Sequence, residues 1–125
     1  MSDPADLTAR EARRLIGRRA LSPVELADAC IARVEAIDPA VNAVVARDFD
    51  RLRADARRAE AAVAEGRRLG PLHGLPVAVK DMNDVAGLPT TYGSEIFADT
   101  VAAADDALVA ALRGAGALIL GKTNV

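Results

Sequence analysis

Apolar and polar positions follow a helical period through the first half of the chain, punctuated by clear start and stop signals. Thr8-Ala9-Arg10-Glu11 has the form of a capping box, a hydroxyl at the cap with a carboxylate three residues on, and predicts a helix to about Arg18. Ser22-Pro23-Val24-Glu25 repeats the device with proline at the first helical position, and Leu21 with Leu26 can close a hydrophobic staple around it. This second helix is expected to end at about Ile37, because Asp38-Pro39 disfavours helical backbone. Val41 to Ala46 is short and mostly apolar and reads as a strand. A third helix is expected from about Asp48 to Glu65, stopped by Gly66. Its apolar residues Phe49, Leu52, Ala56, Ala59 and Val63 recur at alternating steps of three and four, forming one narrow seam. Such a seam serves a partner helix in a homodimer or the protein's own core, and two heptads favour the core.

The pattern changes at Gly70. Gly70-Pro71-Leu72-His73-Gly74 is turn chemistry, and the apolar run that follows predicts a strand at 75 to 80, buried on both faces. A loop rich in glycine and threonine spans 81 to 94, a helix runs from about Asp105 to Gly114, and a second strand occupies 117 to 121. Strand, helix, strand is the order of a βαβ unit, which implies parallel strands with the helix packed across them through Leu108, Val109 and Leu112. The fold class is therefore α/β: N-terminal helices over residues 1 to 69, then a βαβ part of a mixed sheet over 70 to 125. Functional groups gather at the carboxyl ends of parallel strands, where Lys80 and Lys122 both fall.

Composition narrows the class without naming a function. Apolar residues make up 51% and the formal net charge is −2, as in a soluble globular protein with one modest core. Phe49, Tyr92 and Phe97 are the only aromatic residues, so Ala, Val and Leu must do the packing and independent stability is expected to be low. The polar start Ser2-Asp3-Pro4 does not resemble a signal peptide and no apolar run approaches a membrane span, which points to the cytoplasm. The arginines at 10, 13, 14, 18 and 19 and at 51, 53, 57 and 58 are interleaved with Asp and Glu and lack stacking aromatics, so no nucleic-acid partner is expected. Cys30 has no second cysteine to pair with and no His or Cys at ligand spacing, and it lies on an apolar stripe with Ala27, Ile31 and Val34. It reads as an inert core thiol.

Lysine occurs only at positions 80 and 122, against fourteen arginines, so Lys80 at the end of an apolar strand asks for an explanation. Small Pro76 and Ala78 are its same-face neighbours at period two and leave room beside the amine. A buried amine favours the neutral form and suits a general base; a strand-end lysine can equally send its head to water beside Asp81. Two other motifs carry less. Gly116 to Thr123 satisfies the phosphate-loop pattern, but its four middle residues are a strand and no helix follows. His73 and Ser94 lack the nucleophile elbow of a serine hydrolase, and His73 is expected to orient the turn before the Lys80 strand.

Five segments in order change the weight of Lys80. Pro71-Leu72-His73-Gly74, Pro76-Val77-Ala78-Val79-Lys80-Asp81, Asp84-Val85-Ala86-Gly87, Pro89-Thr90-Thr91-Tyr92-Gly93-Ser94 and Gly121-Lys122-Thr123-Asn124 together resemble the amidase signature family. The resemblance covers about the last 55 residues strongly. It implies that the chain is the N-terminal portion of an amidase whose parent hydrolyses a small-molecule carboxylic amide by acyl transfer through a Ser-Ser-Lys triad. Lys80 matches the triad base, and no metal or organic cofactor is implied. Met82-Asn83 after Lys-Asp departs from the family's usual pair. Ser2, Ser22 and Ser94 lie in no glycine/serine-rich run, so this chain is expected to supply the base without the serines. An amidotransferase of the A-subunit type is the alternative within the family, and a truncated, inactive chain or helical interaction module the alternative outside it. The residues that bind substrate stay unassigned.

Overall fold

The computed structural model describes residues 2–125. Helix α1 spans Ala9–Gly17, and its capping box is formed: the Thr8 hydroxyl accepts from the Glu11 amide while the Glu11 carboxylate accepts from the Thr8 amide. Helix α2 spans Pro23–Val41, with Ser22 accepting from the Val24 and Glu25 amides. Here the box is half made: among the described residues no bond runs from the Ser22 amide to the Glu25 carboxylate, and the Ser22 hydroxyl donates to Glu60 on α3. Leu21 and Leu26 are both buried in one cluster with Ala12, Ile16 and Leu75, as the staple requires.

Helix α2 does not stop at Ile37. It continues through Pro39 and ends where Asn42 takes the left-handed conformation that releases a helix. Proline there gives up one helical hydrogen bond. The extra turn places Asp38, which is buried, so that its carboxylate accepts from the amides of Ala43 and Val44 and starts the next strand. Strand β1 is accordingly shorter than expected, Val44–Ala46. Helix α3 spans Phe49–Ala64, and its seam faces the core: Leu52, Ala56 and Ala59 are buried with Ala27 and Ile31 of α2 and with Leu118.

Strands β2 (Pro76–Lys80) and β3 (Leu118–Thr123) pair in parallel, and β1 pairs with β3 from the other side in antiparallel register, giving the order β1-β3-β2. Helix α4 (Ala107–Gly114) connects β2 to β3. Val109 and Leu112 pack on Val79, Val85, Leu88 and Ile119, whereas Leu108 is 52% exposed and takes no part. Expectation and structure agree on the βαβ unit and differ at that residue. Val77 and Ile119 are partners, but the next pair is Ala78 with Gly121, so Leu120 is an extra residue in β3. Past such a bulge the alternation of faces is reset. Lys122 thereby joins Ile119 on the face turned to α4 and its loop.

Several arginines that punctuate the helices tie backbone carbonyls together. Arg13 donates to Gly70, Arg19 to Val63 at the end of α3, and Arg51 to Ala86. A guanidinium with several donors can satisfy carbonyls that helix ends and loops leave free.

Candidate active site at the strand ends

Lys80 closes β2 opposite Thr123 of β3, at the carboxyl end of the parallel pair. Its side chain is exposed, as is Ala78 on the same face. The expected burial on both faces does not hold in this chain. β2 is the edge of the sheet, and while Val79 is covered by α4 and its loop, Ala78 and Lys80 on the opposite face are exposed. Lys80 makes no ion pair among the described residues.

The buried lysine is Lys122. Its residue is 0% exposed, and its Nζ donates to the Pro89 carbonyl at 2.9 Å and to Thr90 Oγ1 at 3.2 Å while lying 3.1 Å from Asp81 Oδ1. A lysine that follows a glycine at the end of a strand is expected to reach solvent; here the bulge turns the Lys122 side chain inward instead. Asp81, 1% exposed, also accepts from the amide and the hydroxyl of Thr91. Burial pushes its carboxyl upward, but the Thr91 donors and Lys122 outweigh this and hold it below the ordinary value of 3.8. The Asp81 amide donates to Thr123 and its carbonyl accepts from Tyr92, so one residue joins both strand ends to the loop 81–94.

Gly121 lets β1 lie close against β3, because a Cβ there would lie 2.6 Å from the Ala46 carbonyl of β1. The same signal that singles out Lys80, a rare lysine ending an apolar run, is present at Lys122, and the short polar pair Thr90-Thr91 supplies one partner to Lys122 and one to Asp81. Asp81, Thr91, Ser94, Glu95, Asn42 and Asn124 line a shallow cleft of about 220 Å³ beside the pair.

The competing motifs are dispersed. His73 Nε2 hydrogen-bonds the Ala59 carbonyl at 2.9 Å and ties the turn 70–74 to α3, while Ser94 caps a short 3-10 helix at Glu95–Phe97. Gly121, Lys122 and Thr123 are strand residues. Cys30 is half-buried against the α1/α2 cluster, and burial first, then the charge of Asp3, pushes its thiol up. No group of three potential metal-ligating side chains occurs among the described residues. Among the described residues no helix is long and apolar enough to cross a membrane.

A parallel strand pair ending in two lysines, with an Asp-Thr-Thr clamp between strand and loop, is the arrangement to set against known proteins. The family model described as Amidase matches residues 25–125. The chain belongs to the amidase signature family. An acylamidase of Rhodococcus erythropolis is 44% identical over 94% of this chain and 25% of its own length. The A-type subunit of the glutamyl-tRNA(Gln) amidotransferase of Acidothermus cellulolyticus is 42% identical over 100% of the chain and 25% of its own length. The crystal structure of a peptide amidase from Stenotrophomonas maltophilia superposes with a TM-score of 0.89 at 31% identity, covering 97% of this chain and 25% of that one. This amidase-family chain thus spans about a quarter of the length of the relatives it matches.

Proposed function

We propose that this chain is the N-terminal part of one amidase domain and that the whole protein hydrolyses a small-molecule carboxylic amide by acyl transfer. Lys80 is the base. In its neutral form it accepts the proton of a bridging serine, which in turn accepts that of the nucleophilic serine. The serine oxygen bonds to the amide carbon, the carbon–nitrogen bond breaks and the amine leaves with a proton. Water then attacks the acyl-enzyme and restores the serine. Both serines and the amides that stabilise the oxyanion come from beyond residue 125. No metal or organic cofactor takes part in such a relay. A cytoplasmic setting and a homodimeric whole protein belong to the same reading.

The observation that carries it is the place of Lys80: the last residue of a parallel strand in an amidase-family fold, exposed and without an ion pair among the described residues. A face left open beside a free amine is where a substrate and two serines can be brought in. The 125 residues alone are then inactive, because a base without nucleophile and oxyanion donors cannot carry acyl transfer. The resemblance to the glutamyl-tRNA(Gln) amidotransferase supports a second use of the same chemistry, release of ammonia from an amide for transfer to another acceptor.

A serine-directed phosphonate probe tests the reading. It should label the full-length protein once, on a serine beyond residue 125, and leave the isolated 125 residues unlabelled. Labelling on Ser22 or Ser94 would overturn it.

A further inference from the structure

We propose that the residues directly following Val125 dock on an apolar patch formed by Tyr92, Ile96 and Phe97, which makes this loop a seat for a later part of the same chain. This rests on the reading of the 125 residues as the N-terminal part of a longer domain. The patch stands out in this sequence. Tyr92 and Phe97 are two of its three aromatic residues, and they are 50% and 41% exposed. Their ring centroids are 5.7 Å apart and their planes inclined by 73°, an edge-to-face pair. Ile96 is 87% exposed. Apolar residues scattered singly over a surface need no partner, whereas a contiguous set marks a contact surface.

The patch is also held in place. Thr91 is clamped to Asp81 through its amide and hydroxyl, and the Tyr92 amide donates to the Asp81 carbonyl. Tyr92 and Gly93 take positive φ in succession, 54° and 75°. A tyrosine in that conformation is strained by its Cβ, and the bonds to Asp81 offset the strain. Ser94 then caps the 3-10 turn Glu95–Phe97 that carries the other two side chains. A surface ordered in advance loses little entropy when a partner arrives.

The position of Val125 selects the occupant. Beyond β3, the Asn124 amide and side chain donate to the carbonyls of Ala43 and Asn42. That anchor sets Val125 against the loop: a Cβ at Gly93 would lie 3.2 Å from Val125 Cβ. Val125 is itself 54% exposed and extends the apolar surface there. Ile96 and Phe97 follow Gly93 within one tight turn, and an extended residue spans about 3.3–3.6 Å, so a few residues after Val125 cover the distance. The acylamidase and the amidotransferase subunit, of which this chain covers 25% each, have ample length for such a segment. A second copy would compete with a segment tethered beside the patch, at an effective concentration on the order of millimolar.

Hydroxyl-radical footprinting of the full-length protein tests this, with the synthetic peptide Thr90 to Val101 in the same sample as the fully exposed standard. A docked segment should hold the oxidation rates of Tyr92 and Phe97 at about a tenth of the peptide's or less, as in the buried centre of a contact. Rates in proportion to exposures of 50% and 41% overturn the proposal. Protection that appears only where size exclusion shows a dimer overturns it too, because a second copy is then the occupant. Ile96→Asp gives an independent reading: under a docked segment the full-length variant should melt at least about 2 °C lower, and an unchanged Tm overturns the proposal. Should Ile96→Asp fail to fold, the footprint of the parent decides alone. The phosphonate probe separates the two levels. Labelling on a serine beyond residue 125 with Tyr92 at its free rate keeps the amidase reading and removes only the docking, whereas labelling on Ser22 or Ser94 removes the reading itself.

Discussion

Lys122→Met in the full-length protein should cost about 3–5 kcal/mol of stability, the range for breaking a buried ion pair from one side. The structure supplies the reasons for the size. Both partners are inaccessible, at 0% and 1% exposure, so water cannot take over the lost contacts. The ammonium gives up three partners, at 2.9, 3.2 and 3.1 Å. Methionine keeps the apolar stem but leaves Asp81 charged, with only the Thr91 amide and hydroxyl to hold it. The Pro89 carbonyl is left without this donor, an added cost on the order of 1–3 kcal/mol that overlaps with the first. Adding Asp81→Asn should recover part of the loss, because a neutral amide keeps one acceptor oxygen for Thr91 and removes the buried charge. Guanidinium unfolding of the parent, the single and the double variant at pH 7 measures both numbers. A loss below about 1 kcal/mol, the range of exposed pairs, would refute the reasoning.

Three further outcomes follow from the same geometry. Because the Asp81 carboxyl is held below 3.8, its contribution is fully present above the unfolded value and is lost as the pH falls through the folded one; Asp81→Asn should therefore flatten the acid-unfolding curve below about pH 4. Gly121→Ala puts a Cβ within 2.6 Å of the Ala46 carbonyl and should separate β1 from β3, lowering stability by roughly 1–3 kcal/mol in the same unfolding assay. Cys30, with its thiol pushed up by burial, should react with a maleimide at pH 7 more slowly than a free cysteine peptide, and an equal rate would contradict the packing around it.

Local chemistry carried much of the fold into the sequence. The Thr8 box, the Leu21/Leu26 staple, the α3 seam and the parallel βαβ unit were legible because each depends on residues close in the chain or on one periodic face. Three features were not legible. Asp38, just before Pro39 in α2, accepts from the Ala43 and Val44 amides past the helix end, the Lys122 face depends on a bulge at Leu120, and the two faces of β2 differ, with Val79 buried and Ala78 and Lys80 exposed. Each overrides the local preference through contacts that periodicity does not record. Leu108 shows the smaller version: an eight-residue helix presents a narrower stripe than its apolar composition suggests.

The central claim is that Lys80 is the proton acceptor that starts acyl transfer. Steady-state hydrolysis of a simple amide by full-length Lys80→Ala, with circular dichroism to verify folding, tests it most directly. General acid–base groups contribute roughly a hundredfold to ten thousandfold, and more when residues act as a unit, so the folded variant should lose at least about a hundredfold in kcat/KM. A folded Lys80→Ala enzyme that keeps more than about a tenth of the parental rate would contradict the account.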